Sequence, residues 1–263
     1  MKIYIRGGIG DFLQNLPFVL MQPTQEYYIH THFSGAKEFF HEFGIKNPVI
    51  YQFKNPQEHD LQIDQIMKSL SEEEKNSFTE CPRYFYTKLS FRDDLKNEAQ
   101  KLVDSFPVKR KVIGIHPFGG EFAANVYREL GLPQKLVPKE IVEEITSDNF
   151  NYLIFGTKTE LFESGILESD NVKGVSFDNV LGALACVQFC DLFLGTDSCF
   201  KTMSAMHNIP TAIIVGDFED EMRDSMFINQ YVTDNVMKVY KFKDASAEKE
   251  DIVKFFNEQK VTL

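Results

Sequence analysis

The sequence has no tryptophan, few cysteines and no long apolar run. Its hydrophobic stretches fall well short of the roughly 18 residues that a transmembrane helix needs, so we expect no membrane span. The N-terminal residues "MKIYIRGG" are typical of a strand and lack the apolar segment of a secretory leader. The four cysteines form no CxxC pair, a pattern that suits a reducing compartment. These absences predict a cytoplasmic protein.

Basic residues are also scarce. The chain has 28 lysines and arginines against 39 aspartates and glutamates, a net charge of −11 and a pI of about 5.1. Such a chain does not attract nucleic acid or an anionic bilayer through its overall field, so we expect no nucleic-acid partner. A local basic pocket for a phosphorylated ligand stays open. With 263 residues and 43% hydrophobic content, the chain can form one large domain or two modest ones.

Strand-like and helix-like segments alternate along the chain, most regularly in its second half. There, the segments "KVIGIHP", "NYLIFG", "VKGVSF", "DLFLGT" and "PTAIIVG" are typical of buried strands, and amphipathic helical patterns separate them. In the first half, strands are indicated at Lys2 to Arg6, "EYYIHTH" and "NPVIYQF". This alternation predicts an α/β fold with parallel sheets and helices on both faces.

The charged, proline-containing segment "FPVKRK" is where we place the domain boundary. We predict an N-terminal domain over residues 1–108, a Rossmann-like domain over 109–245 and a terminal helix over 246–263, whose packing on the first domain stays open. Parallel sheets bind ligands beyond the carboxyl ends of their strands. Two such domains facing a central cleft would make a natural site for two substrates.

The segment "GGIGD" follows the first strand and opens a helix. It is not a dinucleotide fingerprint, because Leu13 stands where the third glycine is needed, and it is not a P-loop. One interpretation is a tight turn in which Asp11 is a first-turn carboxylate favoured by the helix dipole. The other is functional, because a carboxylate at this place is suited to take a proton from an attacking hydroxyl.

Three motifs occur in the order seen in one enzyme family: "GGIGD", "HPFGG" and "LGTDSCFKTMSAMHNIPTAIIVGD". With them the chain resembles heptosyltransferase-like glycosyltransferases, those of glycosyltransferase family 9, which have the two-Rossmann GT-B architecture. The resemblance implies that the second domain binds a nucleotide sugar and the first domain the acceptor. It also implies that Asp11, after Gly8 and Gly10, is the catalytic base.

The resemblance further implies a set of donor-binding residues in the second domain. Lys135 in "KLVP" would reach the phosphates, and Glu160, four residues after Gly156, would bind the ribose. Asp197 and Ser198 would start a helix facing the diphosphate, with Asp197 as its N-cap. Helix-start amides and a cation are what a diphosphate needs. The other candidates in this region are Gly119, His116, Arg128 and Lys201.

Structural interpretations stay open for several of these residues. His116 is either a loop histidine or a phosphate contact. Glu160 is either a ribose ligand or a helix first-turn carboxylate, and Asp197 is either close to the ligand or a simple cap. Arg6 either pairs with Asp11 or packs against a strand end. His30 and His32 share a strand face, but no third ligand is nearby, so we predict no metal site and no cofactor apart from the donor substrate.

The sequence therefore predicts an inverting glycosyltransferase that moves a heptose-like or other sugar from a nucleotide-diphosphate donor to an acceptor hydroxyl. The acceptor would be a glycan or a lipid-linked molecule, and the latter would bring transient contact with a membrane surface. Two departures from the family motif, Cys199 for a glycine and Thr202 for a histidine, keep a sugar-nucleotide-binding protein without transfer open. A nucleotide-sugar epimerase on the same fold is the third hypothesis.

Overall fold

A computed structural model of the chain forms two compact units, Met1–Thr87 and Lys88–Leu263. The structure describes residues 2–46, 48–53, 58, 65, 68, 71–82, 89–118, 137–146, 149–163, 168–176, 180–215, 237–241 and 249–262. None of the described helices is both long enough and apolar enough to cross a bilayer.

The first unit is built on a four-stranded sheet of order β3-β2-β1-β4, and its strand pairs are parallel. Its described strands are β1 (Lys2–Arg6), β2 (Glu26–Thr31), β3 (Val49–Gln52) and β4 (Phe78–Glu80), and its described helices are α1 (Ile9–Met21), α2 (Ala36–Glu42) and α3 (Glu72–Ser77). Alternate side chains of β1, Ile3 and Ile5, are buried, as is the apolar face of α1. In this core the Phe12 ring of α1 packs on Phe40 of α2, with centroids 4.9 Å apart.

The second unit is built on a six-stranded parallel sheet. Its described strands are β5 (Val112–His116), β6 (Asn151–Gly156), β7 (Val172–Ser176), β8 (Leu192–Thr196), β9 (Thr211–Val215) and β10 (Met237–Lys241). Its described helices are α4 (Asp93–Asp104), α5 (Lys139–Ile145), α6 (Lys158–Glu163), α7 (Val180–Val187), α8 (Cys199–Met206) and α9 (Lys249–Thr262). The two parallel sheets with alternating helices confirm the predicted α/β class.

The strand order of the second sheet fixes where a ligand would bind. From one edge the order is β7-β6-β5-β8-β9-β10, which is the 3-2-1-4-5-6 order of a Rossmann sheet. The order reverses between β5 and β8, and this switch point is where such sheets bind ligands, beyond the carboxyl ends of the strands. The first sheet has the corresponding reversal between β1 and β4.

The helix α4, which the sequence assigned to the first domain, and the terminal helix α9, whose packing the sequence left open, both belong to the second unit. The predicted boundary lies after residue 108, but the structure divides after Thr87, because α4 packs on α7. The terminal helix α9 packs on α5, and its side chains Ile252 and Phe256 join the core of the second unit. Lys249 Nζ of α9 also lies 2.5 Å from Glu144 Oε2 of α5.

Candidate functional site

The switch point of the second sheet brings together two of the predicted donor residues. His116 ends β5 and pairs with Gly195 on β8, so the residues that follow β8 lie beside it. A hydrogen bond joins His116 Nδ1 and Ser198 Oγ at 3.0 Å. The residues around His116 and those around Ser198, far apart along the chain, therefore meet at the carboxyl ends of β5 and β8.

His116 is almost fully buried, with 2% of its surface exposed. Its ring packs on Phe200 of α8, with centroids 4.8 Å apart. Burial lowers the pKa of His116 to about 3, so the imidazole is neutral at physiological pH. A neutral ring supplies no positive charge to a phosphate, and the structure instead gives His116 the task of holding the Ser198 hydroxyl.

This burial predicts a pH-dependent stability. The unfolded histidine binds a proton below about pH 6.5, whereas the folded one resists protonation down to about pH 3. The contribution of the neutral His116 to the free energy of unfolding is therefore complete above pH 6.5. It decreases as the pH falls, by about 2 kcal/mol at pH 5. Urea unfolding at pH 7 and pH 5 measures how much of the free energy of unfolding is lost between the two pH values. This loss should be about 2 kcal/mol smaller in His116→Asn than in the wild type. The control His41→Asn, at an exposed histidine, should lose as much unfolding free energy between pH 7 and pH 5 as the wild type. An equal loss in the wild type and in His116→Asn would contradict the role of His116 in this pH dependence.

The helix α8 begins one residue later than predicted. Its N-cap is Ser198, in an extended conformation, and not Asp197. The Ser198 side chain makes no capping hydrogen bond to the helix, because its hydroxyl bonds His116 instead. The amide end of α8 thus points toward the switch point without a side-chain cap from Ser198, an arrangement that favours an anion.

Asp197 and Lys201 form an ion pair with each other across one turn of α8. Lys201 is 4% exposed, and the Asp197 side chain is 17% exposed. The need of a diphosphate for a cation made Lys201 a candidate phosphate ligand, but its charge is compensated within the chain. A buried pair of this kind adds little net positive charge to the site.

The two motif departures lie at the start of the same helix. Cys199 is its first residue, and burial raises the pKa of the thiol to about 12, so it is not a nucleophile at neutral pH. Thr202 is buried within α8, with 1% of its surface exposed. The side chain at the position where the resemblance leads us to expect a histidine is therefore packed in the interior.

Gly156 and Glu160 each have a structural task at the carboxyl end of β6. A Cβ atom on Gly156 would lie 2.8 Å from the Phe118 ring, so the glycine lets that ring pack on the strand. The Glu160 carboxylate accepts a hydrogen bond from Thr157 N at 2.7 Å, and Glu160 N donates one to Thr157 Oγ1 at 3.1 Å. This reciprocal pair is a capping box at the start of α6. Three further predicted donor residues, Gly119, Arg128 and Lys135, lie outside the described residues.

In the first unit, the glycine turn and Asp11 form one local structure. Gly7 has a φ of +117°, and a Cβ atom there would lie 2.1 Å from Asp11 Oδ2, so only glycine fits. Asp11 Oδ2 accepts a hydrogen bond from Gly8 N at 3.0 Å. Gly10 lies in the first turn of α1, and its carbonyl accepts a hydrogen bond from Gln14 Nε2. Asp11 thus caps its own helix and also lies at the carboxyl end of β1.

Sequence reasoning missed one neighbour of this carboxylate. The sequence suggested His32 only as one of two possible metal ligands. In the structure it lies next to Gly8, and the Asp11 carboxylate raises its pKa. The feature that could have predicted this contact is the parallel pairing of the first two strands, which places residue 32 beside residue 8. Arg6, by contrast, lies near the exposed Glu80, with Nε and Oε1 4.0 Å apart.

No protein-family model and no curated protein matches the chain. Among solved structures, it is similar to the ADP-heptose LPS heptosyltransferase II of E. coli, with 13% identity, a TM-score of 0.62 and coverage of 100% of this chain and 99% of that one. It is also similar to a family 9 glycosyl transferase from Veillonella parvula, with 11% identity, a TM-score of 0.60 and coverage of 100% and 97%. At these identities the likeness shows the fold, which is of the GT-B type that the sequence predicted.

Proposed function

We propose that the chain is a glycosyltransferase that moves a sugar from a nucleotide-diphosphate donor to an acceptor hydroxyl. The observation that carries the proposal is the start of α8 at the switch point of a Rossmann-order sheet, the usual place for a diphosphate. The corresponding place in the first sheet carries the Asp11 carboxylate. Both similar solved structures are of glycosyltransferases, one of them an ADP-heptose enzyme, which supports the same reaction class.

In this proposal the second unit binds the donor. The diphosphate meets the first-turn amides of α8 and the Ser198 hydroxyl, which His116 holds in place. Gly156 and Glu160 flank the ribose at the neighbouring strand end. Glu160 can accept a hydrogen bond from a ribose hydroxyl through a carboxylate oxygen while it caps α6.

The leaving diphosphate needs positive charge as the sugar departs. Lys201 supplies little of it in the present arrangement, because Asp197 neutralises it. We therefore assign this task to Arg128 and Lys135, the two basic candidates of the segment between β5 and α5. No metal is part of the proposed reaction.

The first unit provides the base. Asp11 removes the proton of the acceptor hydroxyl, whose oxygen attacks the anomeric carbon on the face opposite the diphosphate. The new carbon–oxygen bond forms as the bond to the diphosphate breaks, and that electron pair leaves with the diphosphate. The sugar is transferred with inversion to a glycan or lipid-linked acceptor.

One observation favours a second function, donor binding without transfer. Because Asp197 pairs with Lys201, the start of α8 has little net positive charge. A leaving diphosphate needs such charge, whereas transfer-free binding needs less of it. This alternative predicts nucleotide-sugar binding with no release of free nucleotide in the presence of acceptors.

A thermal-unfolding screen with nucleoside diphosphates and nucleotide sugars, ADP-heptose among them, tests the donor site. A ligand at 100 times its Kd should stabilise the wild type by about 2.7 kcal/mol. Ser198→Asp should abolish this stabilisation, because aspartate is a good N-cap but repels a diphosphate. The matched control Arg92→Asp, at the N-cap of α4, should keep it. A screen without a stabilising ligand, or full stabilisation of Ser198→Asp, would contradict the proposal.

A further inference from the structure

The pairing of β1 with β2 brings a histidine to the glycine turn. The two strands run parallel with Arg6 opposite His30, and Gly7 N donates a hydrogen bond to the His30 carbonyl at 3.1 Å. Two residues further along each strand, His32 comes beside Gly8. A Cβ atom on Gly8 would lie 3.2 Å from His32 Cε1 and 3.5 Å from Nε2, so the edge of the imidazole lies against the glycine.

The same short segment holds the Asp11 carboxylate. Asp11 Oδ2 accepts the Gly8 N–H at 3.0 Å and also occupies the space where a side chain of Gly7 would lie. The two glycines therefore serve a common purpose, because each leaves room for a functional group. A carboxylate from α1 and an imidazole from the end of β2 flank one stretch of backbone at the carboxyl end of β1.

The surroundings of His32 keep its ring in place and uncharged. The ring packs on Phe53, with centroids 5.8 Å apart, and Phe53 is itself buried with His30 packed against it. Burial lowers the pKa of His32 and is the larger influence, while the Asp11 carboxylate raises it. The Asp11 carboxylate is therefore a charged group that acts on His32. At physiological pH the imidazole is therefore neutral, with one nitrogen donating and one accepting.

We propose that His32 is a second acceptor-site residue, whose imidazole N–H holds the hydroxyl oxygen that Asp11 deprotonates. This inference rests on the proposed glycosyl transfer and names a residue that binds the reacting hydroxyl. The hydroxyl hydrogen points to Asp11 and one oxygen lone pair accepts the His32 N–H. The other lone pair attacks the anomeric carbon.

A neutral imidazole suits this task better than a charged one. An imidazolium would donate a stronger hydrogen bond and draw electron density from the oxygen that must attack. It would also stabilise the ionised Asp11 and so weaken it as a base. The half-buried, neutral ring orients the oxygen without either effect, and the two side chains restrict the hydroxyl to one direction.

Three variants of the full chain test this role, in steady-state kinetics with the donor from the screen and methyl glycosides as acceptors. His32→Phe keeps a ring on Phe53 but has no N–H, and we expect it to lower kcat/KM for the acceptor about 100-fold with an unchanged donor KM. His32→Gln retains an amide donor and should recover most of that loss. His41→Gln, at an exposed histidine of α2, should match the wild type.

The outcomes separate this inference from the proposed function. Wild-type kinetics in His32→Phe would overturn the inference about His32. Equal losses of kcat/KM in His32→Phe and His32→Gln would also overturn it, because they would indicate a proton-transfer role instead. Imidazole NMR of the full chain gives a readout without turnover: Asp11→Asn should lower the pKa of His32, since the carboxylate raises it. If the His32 pKa were the same in Asp11→Asn and in the wild type, while the protein bound the donor, only this inference would be contradicted. A wild type without turnover would contradict the proposed function and this inference with it.

Discussion

Asp11→Asn is expected to lower kcat by about 10²- to 10⁴-fold, the range of general base catalysis, while the donor Kd stays at its wild-type value. Asparagine has the same shape as aspartate and keeps an oxygen that can accept the Gly8 N–H. The glycine turn and the start of α1 are thus preserved. What the variant loses is the ability to take the proton of the acceptor hydroxyl. Turnover with saturating acceptor and calorimetric titration of the donor give the two quantities.

A matched substitution separates catalysis from helix stability. Asp11 is a first-turn carboxylate of α1, and its neutralisation costs up to about 1 kcal/mol through the helix dipole. Asp93→Asn makes the same change in the first turn of α4 and should leave kcat unaltered. If Asp11→Asn turned over at the wild-type rate, Asp11 would be a capping residue alone.

Lys201→Ala is expected to lower the free energy of unfolding by about 3–5 kcal/mol, the cost of leaving a buried charge without its partner. Lys201 and Asp197 are mostly buried and pair across one turn of α8. Removal of the lysine leaves the Asp197 carboxylate in a poorly solvated place. Urea unfolding at pH 7 measures the loss.

Two further variants test the explanation. Lys254 and Glu258 form a pair of the same i,i+4 spacing on the exposed face of α9, so Lys254→Ala should cost no more than about 1 kcal/mol. The double variant Lys201→Met with Asp197→Asn removes both charges and retains most of the side-chain volume, so it should recover most of the stability. A Lys201→Ala variant as stable as Lys254→Ala would show that the pair is solvated.

The strands with strong apolar patterns could be predicted from the sequence, and the others could not. The five strands predicted for the second half are β5 to β9, of which β5, β6 and β8 are buried along their whole length in the parallel sheet. β4 has three residues within a polar stretch, and β10 is an edge strand with two lysines, so neither has the continuous apolar run that marks a buried strand. The amphipathic pattern of residues 93–104 is typical of a helix, but the partner of this helix α4 is α7, which is distant in sequence.

The candidate site shows the same limit. The position of Asp11 after a strand and a glycine turn could be predicted from "GGIGD" alone. Its neighbour His32 depends on the register between two strands, and the His116–Ser198 bond depends on the pairing of β5 with β8. The burial of Lys201 depends on how α8 packs, which its basic side chain does not indicate. Residue types predicted the chemistry, whereas the pairing of charges and hydrogen bonds depended on tertiary packing.

Product analysis by NMR, with the wild-type chain, one donor and a panel of acceptor glycosides, tests the central claim most directly. Transfer predicts free nucleoside diphosphate only when an acceptor is present, and a new glycosidic bond of inverted anomeric configuration. Binding of the donor with no nucleotide release would contradict transfer, and a changed nucleotide sugar formed from the donor alone would indicate an epimerase instead.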